Sequence, residues 1–143
     1  MPKPKIAFRR LRKYKYQLMR KSYTCQINIR KKSIKTDFIQ LTTKGKLTIK
    51  RGYAWDGPSG LTVDTKTFMR ASLVHDALYQ LMRLKRLDYK THRRLADDLL
   101  KRQCLQDGMN SIRAWYVHRF VCWFGEPSAR PPEKPKAELL TAP

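Results

Sequence analysis

The hydrophobic period of this chain changes once, near residue 67, and that change limits the folds open to it. Before that point, residues 14–20, 23–30 and 34–41 contain alternating stretches in which Cys25, Ile27, Ile29 and Phe38 stand among polar neighbours. A period of two marks strands with one buried face. The stretch from Leu41 to Leu47 reads as a hairpin turn with Gly45 at the position needing an unusual backbone angle, and residues 47–50 supply the next strand. A loop over 52–60 follows, bearing glycine, proline and a lone carboxylate. From residue 67 onward Phe68, Ala71, Val74, His75, Leu78 and Met82 recur in steps of three and four, which is one face of a helix. A second helix is predicted over 89–106, ended by Asp107-Gly108, and a third over 110–124. Strands first and helices after define an α+β protein: N-terminal antiparallel strands, then a bundle of about three helices.

At 143 residues the chain is long enough to bury a real core. The expected organisation is a basic arm at 1–13, one α+β domain at 14–126 and a flexible tail at 127–143. The strands of that domain fall within 14–55 and its helices within 67–124. The tail is read from five prolines in the eighteen residues after Gly125. No run of about 18 apolar residues exists to span a bilayer, and no apolar stretch follows the charged N-terminus as a secretory signal would require. Cys25, Cys104 and Cys122 are far apart and form no CxxC pair, so a reducing compartment is the expectation, with neither a disulfide frame nor a zinc site.

Charge is distributed unevenly. Residues 1–51 hold 17 basic side chains against the single acid Asp37, out of a net +21 for the whole chain. Such a field attracts polyanions: nucleic acid, an anionic membrane surface or an acidic protein. Phe8, Tyr14, Tyr16 and Tyr23 lie among these basic residues. They suit stacking platforms for single strands and, equally, strand residues facing a core. No helix-turn-helix or zinc-finger spacing is present to read a DNA sequence.

The residues able to do chemistry lie at the start of the helical half. At about 100° per residue, His75 and Tyr79 stand one above the other, with His75 at the edge of the apolar face. Asp76 points to the polar side, near Ser72 and Arg83. An imidazole at the core boundary beside a carboxylate suits a water-activating base next to an anion for a cation. Asp97 and Asp98 are not separable by periodicity, since each has basic neighbours four residues away on both sides. His92 and His118 belong to no motif and read as ordinary helix residues.

Gly57-Pro58, His75-Asp76-x-x-Tyr79 and Ala96-Asp97 together resemble the phospholipase A₂ superfamily, particularly its compact form in parvovirus capsid proteins. The longer strings Gly-Tyr-Ala-Trp-Asp-Gly-Pro-Ser-Gly at 52–60 and Ser-Leu-Val-His-Asp-Ala-Leu-Tyr at 72–79, with Arg-x-x-Ala-Asp at 93–97, look like a phage-associated family of unknown function. The resemblance implies a Ca²⁺-dependent lipid esterase in which His75 is the base and Asp76 a calcium ligand. In the same pattern Asp97 is the distal acid that orients the histidine, Tyr79 supports it, and Gly57-Pro58 marks a metal loop over 52–60. It also implies a place in the host cytoplasm or the virion, with other virion proteins as possible partners. Where the secreted enzymes carry disulfide cysteines beside the histidine, this chain has Val74 and Leu78. Asp56 is either a further metal ligand or the residue closing a tight turn through an Asx-type bond. The competing reading is a non-catalytic virion or assembly protein that grips nucleic acid or acidic partners through its basic half.

The third helix carries Trp115, Tyr116, Phe120, Trp123 and Phe124 among Arg113, His118 and Arg119. Tryptophan beside basic residues suits the headgroup layer of a membrane. The simpler expectation is that these rings close the core, as aromatic helical stripes do in small domains.

Overall fold

The computed structural model describes residues 6–11, 15–29, 33–55 and 66–131. The fold is α+β, with two antiparallel sheets followed by helices. The described residues fall into two compact units, 6–55, which holds the strands, and 66–131, which holds the helices.

In the first unit, β1 (Ala7–Leu11), β2 (Lys15–Met19) and β7 (Ala54–Trp55) form a sheet in the order β1-β2-β7. A second sheet, in the order β3-β6-β5-β4, is built from β3 (Tyr23–Gln26), β4 (Ile34–Lys35), β5 (Ile39–Leu41) and β6 (Lys46–Ile49). The register puts Tyr23 and Ile39 opposite Ile49, and Leu41 opposite both Leu47 and Ile34. These six residues are all buried, so the alternation in the sequence becomes one continuous apolar face. The turn into β6 needs its glycine. Gly45 has φ +88°, and a Cβ there would lie 2.3 Å from the Ile27 carbonyl oxygen, which only a residue without a side chain avoids.

Tyr16 and Tyr23 are core residues rather than stacking platforms, at 4% and 3% exposure. Phe8 is partly exposed and packs edge-on against Tyr16, while Tyr14 lies outside the described residues. β1 falls inside the stretch predicted to be an arm. Its Arg9-Arg10 pair interrupts the apolar alternation, and the strand forms by pairing along all of β2, from Ala7 opposite Met19 to Leu11 opposite Lys15.

The second unit holds α1 (Lys66–Arg83), α2 (Tyr89–Gln106), α3 (Ser111–Phe124) and the single turn α4 (Glu126–Ala129). The first three match the predicted spans to within a residue at the ends the sequence defines. Thirteen of the eighteen residues of α1 are buried, so it is enclosed on almost every side and not merely along one stripe. Phe68 and Ala71 of α1 share a core with Leu100 and Cys104 of α2, Met109, and Ala114 and Val117 of α3. The α2–α3 junction is fixed at four points. Gly108 takes φ +99°, and the Met109 N–H donates to the Cys104 carbonyl at 2.9 Å. The Asn110 side chain accepts from the backbone N–H of Ile112 at 2.8 Å, capping α3. Arg70 of α1 closes a fork on Asp107, with its Nε and Nη2 at 2.9 and 3.0 Å from the two carboxylate oxygens.

The aromatic helix departs from expectation. Only Ala114 and Val117 of α3 are buried, whereas Ile112, Trp115, Tyr116, Trp123 and Phe124 are exposed. Ala114 and Val117 join the core that holds Phe68 and Ala71 of α1 and Leu100 and Cys104 of α2, and the large rings are left on the far side. No helix among the described residues is long and apolar enough to cross a membrane.

Candidate active site

Asp97 is the centre of the site. It lies on α2 at 1% exposure, and a carboxylate so buried persists only if its oxygens are paired. Oδ1 takes two donors from α1: the His75 Nε2–H at 2.7 Å and the Tyr79 hydroxyl at 2.6 Å. Both donors come from one helix face because residues four apart stand one turn above each other, and the two rings lie 4.1 Å apart. Oδ2 faces the Arg93 guanidinium, 3.7 Å away and one turn earlier on α2. That Arg93 also donates to the carbonyls of Val121 and Cys122 at 3.3 and 3.2 Å, so it ties the last turn of α3 to the buried acid.

The hydrogen-bond network sets the protonation of the histidine. A carboxylate only accepts, so Nε2 carries the proton, and Nδ1 is the nitrogen left to exchange one. Nδ1 faces Asp76, whose Oδ1 is 4.0 Å away: a charge neighbour beyond hydrogen-bond reach. Burial works against an imidazolium, but the carboxylates of Asp76 and Asp97 outweigh it and hold the His75 pKa above the ordinary value. Burial first, and then the Asp97 charge, push the Tyr79 phenol far upward, so it stays protonated and serves as a donor.

Of the predicted site residues, His75, Tyr79, Asp97 and Asp76 are brought together. Asp56, Gly57 and Pro58 lie outside the described residues. Asp76 supplies one partly exposed hard oxygen donor on the Nδ1 side of the ring, which fits one ligand of a Ca²⁺ shell. Among the described residues there is no cluster of three His, Cys, Asp or Glu side chains able to hold a metal, so the other ligands would have to be carbonyls, water or residues outside that set.

The two acids that periodicity leaves equivalent have different partners. Asp98 is exposed and accepts from the His118 Nε2–H of α3 at 2.7 Å, a surface pair of small energetic weight. Cys122 lies 3.6 Å from that same nitrogen. Since Asp98 already occupies it, and burial holds the thiol pKa above its usual range, the trio is not arranged as a thiolate nucleophile. Sequence reasoning misses two contributors. Arg93 is visible there only as a basic neighbour of Asp97 and as the first residue of the Arg-x-x-Ala-Asp string, with no role attached to it. Gly125 gives no signal, yet a Cβ there would lie 2.6 Å from the Tyr79 hydroxyl, so its bareness makes room for the network.

No family model, no curated protein and no solved structure matches the chain.

Proposed function

We propose that the chain is a phospholipase A₂-like ester hydrolase of phage type, acting on phospholipid with Ca²⁺ as its cofactor. The observation that supports this reading is the single buried oxygen of Asp97, which accepts from both His75 and Tyr79. The arrangement implied by the resemblance requires that contact between two helices.

The chain's own residues have these roles. Asp97 fixes the imidazole with Nε2 protonated and stabilises the positive charge that develops on it when Nδ1 takes a proton from water. Tyr79 and Arg93 hold the carboxylate in place and complete its pairing. Asp76, beside Nδ1, is the anionic ligand that would hold Ca²⁺. When bound, the cation would supply polarisation of the ester carbonyl. By the resemblance, the loop marked by Gly57-Pro58 would contribute carbonyl ligands.

The test is fatty-acid release from phosphatidylglycerol vesicles by the full chain, in millimolar Ca²⁺ and in excess EGTA. Release is expected with Ca²⁺ and not with EGTA. The His75→Gln substitution should lower it by roughly 10²-fold or more, the scale of a lost general base. Asp98→Asn, which touches only the surface pair, should leave it unchanged. If a natively folded preparation releases nothing from anionic or zwitterionic vesicles, nor from a dispersed short-chain phospholipid, the esterase reading fails. The 17 basic side chains of residues 1–51 favour the second reading, a non-catalytic polyanion-binding protein, which would then remain.

A further inference from the structure

α3 carries its polarity the wrong way round for a helix closing a core. At 100° per residue, Ile112, Trp115, Tyr116, Arg119 and Trp123 fall within an arc of about 100°, and all five are exposed. The buried Ala114 and Val117 lie opposite. Ile112, Tyr116 and Trp123 are 67%, 64% and 67% exposed, so large apolar side chains form a continuous outward stripe. Monomeric proteins rarely leave such a patch open without a use. Residues 108–125 contain two arginines and no acid, and the Arg119 guanidinium lies 5.4 Å from the centre of the Trp115 ring, in the middle of the stripe.

We infer that this stripe is a docking surface for an anionic lipid bilayer, lying flat in the headgroup layer. The chemistry selects the occupant. Tryptophan and tyrosine prefer the boundary between water and hydrocarbon, and arginine pairs with lipid phosphate beside them. A second copy of the chain is a poor match, because two such faces would bring arginines together with no acid on either to pair them, in a protein of net charge +21. The stripe is also joined to the candidate site, since Arg93 bonds the carbonyls next to Trp123 and flanks Asp97. The inference deepens the esterase reading by naming the surface on which that site meets its substrate, and it rests on that reading for its biological use. Docking itself requires no turnover.

The experiment measures binding of the full chain to phosphatidylglycerol and phosphatidylcholine vesicles in EGTA, through tryptophan emission and quenching by bromine-labelled acyl chains. Trp55 is buried in its sheet, so the signal reports Trp115 and Trp123. A blue shift with quenching on anionic vesicles is expected. The paired Trp115→Ala and Trp123→Ala substitutions should weaken binding by roughly tenfold or more, the scale of two half-buried rings. Arg119→Glu alone should weaken it in the same direction. Both residues of the pair are exposed, so unchanged circular dichroism is expected.

Unquenched tryptophans, or full binding by the paired variant, would overturn the proposal and assign any vesicle binding to the basic strands. A concentration-dependent dimer that the pair of substitutions dissolves would also overturn it, in favour of a second copy. The two readings fail separately. Quenching without fatty-acid release removes the esterase and keeps the docking surface, whereas release with unquenched tryptophans does the reverse. His75→Gln should bind vesicles as the unaltered chain does.

Discussion

At the scale of single residues, one oxygen of Asp97 has two duties, and substitution separates them. Asparagine in its place keeps an acceptor for His75 and Tyr79 but loses the charge that balances an imidazolium, and its amide would face Arg93 donor to donor. Asp97→Asn should cost about 1–3 kcal/mol of stability, the usual range for disturbing a buried hydrogen-bonded group. It should reduce hydrolysis by roughly 10²-fold or more. Tyr79→Phe removes one donor and leaves the charge and His75 in place, so its expected cost is about 1 kcal/mol, with a much smaller loss of rate. Urea midpoints and turnover of a dispersed short-chain phospholipid measure the two effects. Equal loss of rate in both variants would show that the tyrosine, not the charge, carries the orientation. This site is partly legible in the sequence. The four-residue step between His75 and Tyr79 places them on one face, but nothing in the spacing favours Asp97 over Asp98. Burial separates them, since Asp97 is enclosed and Asp98 is exposed, and that difference depends on the rotation of α2 against its neighbours.

At the scale of elements, periodicity locates all three long helices and most strands, because each has to hide an apolar face. It is silent on which face of α3 is hidden, since a helix rich in apolar residues almost all round gives no clear direction. The packing selects Ala114 and Val117, which join the core cluster of α1 and α2. Periodicity also misses β1, whose pairing with β2 overrides a charged local sequence. The joint between α3 and α4 is the element-scale feature that bears on the site. Gly125 has φ −82°, which any residue tolerates, so its constraint comes from space. A Cβ there would press on the Tyr79 hydroxyl and on the Val121 carbonyl oxygen, at 2.6 and 2.5 Å. Gly125→Ala should therefore cost about 1–3 kcal/mol as overpacking, and should lower turnover by displacing Tyr79 from Asp97. In the Tyr79→Phe background the same change should cost measurably less, because the atom it strikes is gone. Strictly additive losses in that double-mutant cycle would mean that the tyrosine does not move.

At the scale of the whole molecule, the chain assigns charge and chemistry to different compact units. The strand-bearing residues 1–51 account for a net +16, while the imidazole and its acids lie wholly within 66–131. A polyanion held by the first unit should release one set of counterions for each phosphate neutralised, so its affinity should fall steeply with salt. Lys44, Lys46 and Arg51 are exposed on that unit, and changing them to glutamine removes charge without touching a core residue. On duplex DNA, the slope of log K against log salt should become shallower by up to about 0.9 for each phosphate that the variant no longer neutralises. The same triple variant should turn over a dispersed short-chain phospholipid as the unaltered chain does, because none of the three side chains belongs to the candidate site. Its vesicle hydrolysis should fall most at low salt, where screening is weakest and the basic field acts over the longest distance. A flat salt response of the unaltered chain on both DNA and vesicles would show that the basic half neutralises no phosphates. The charge would then serve solubility, and the tryptophans of α3 would have to account for membrane binding alone.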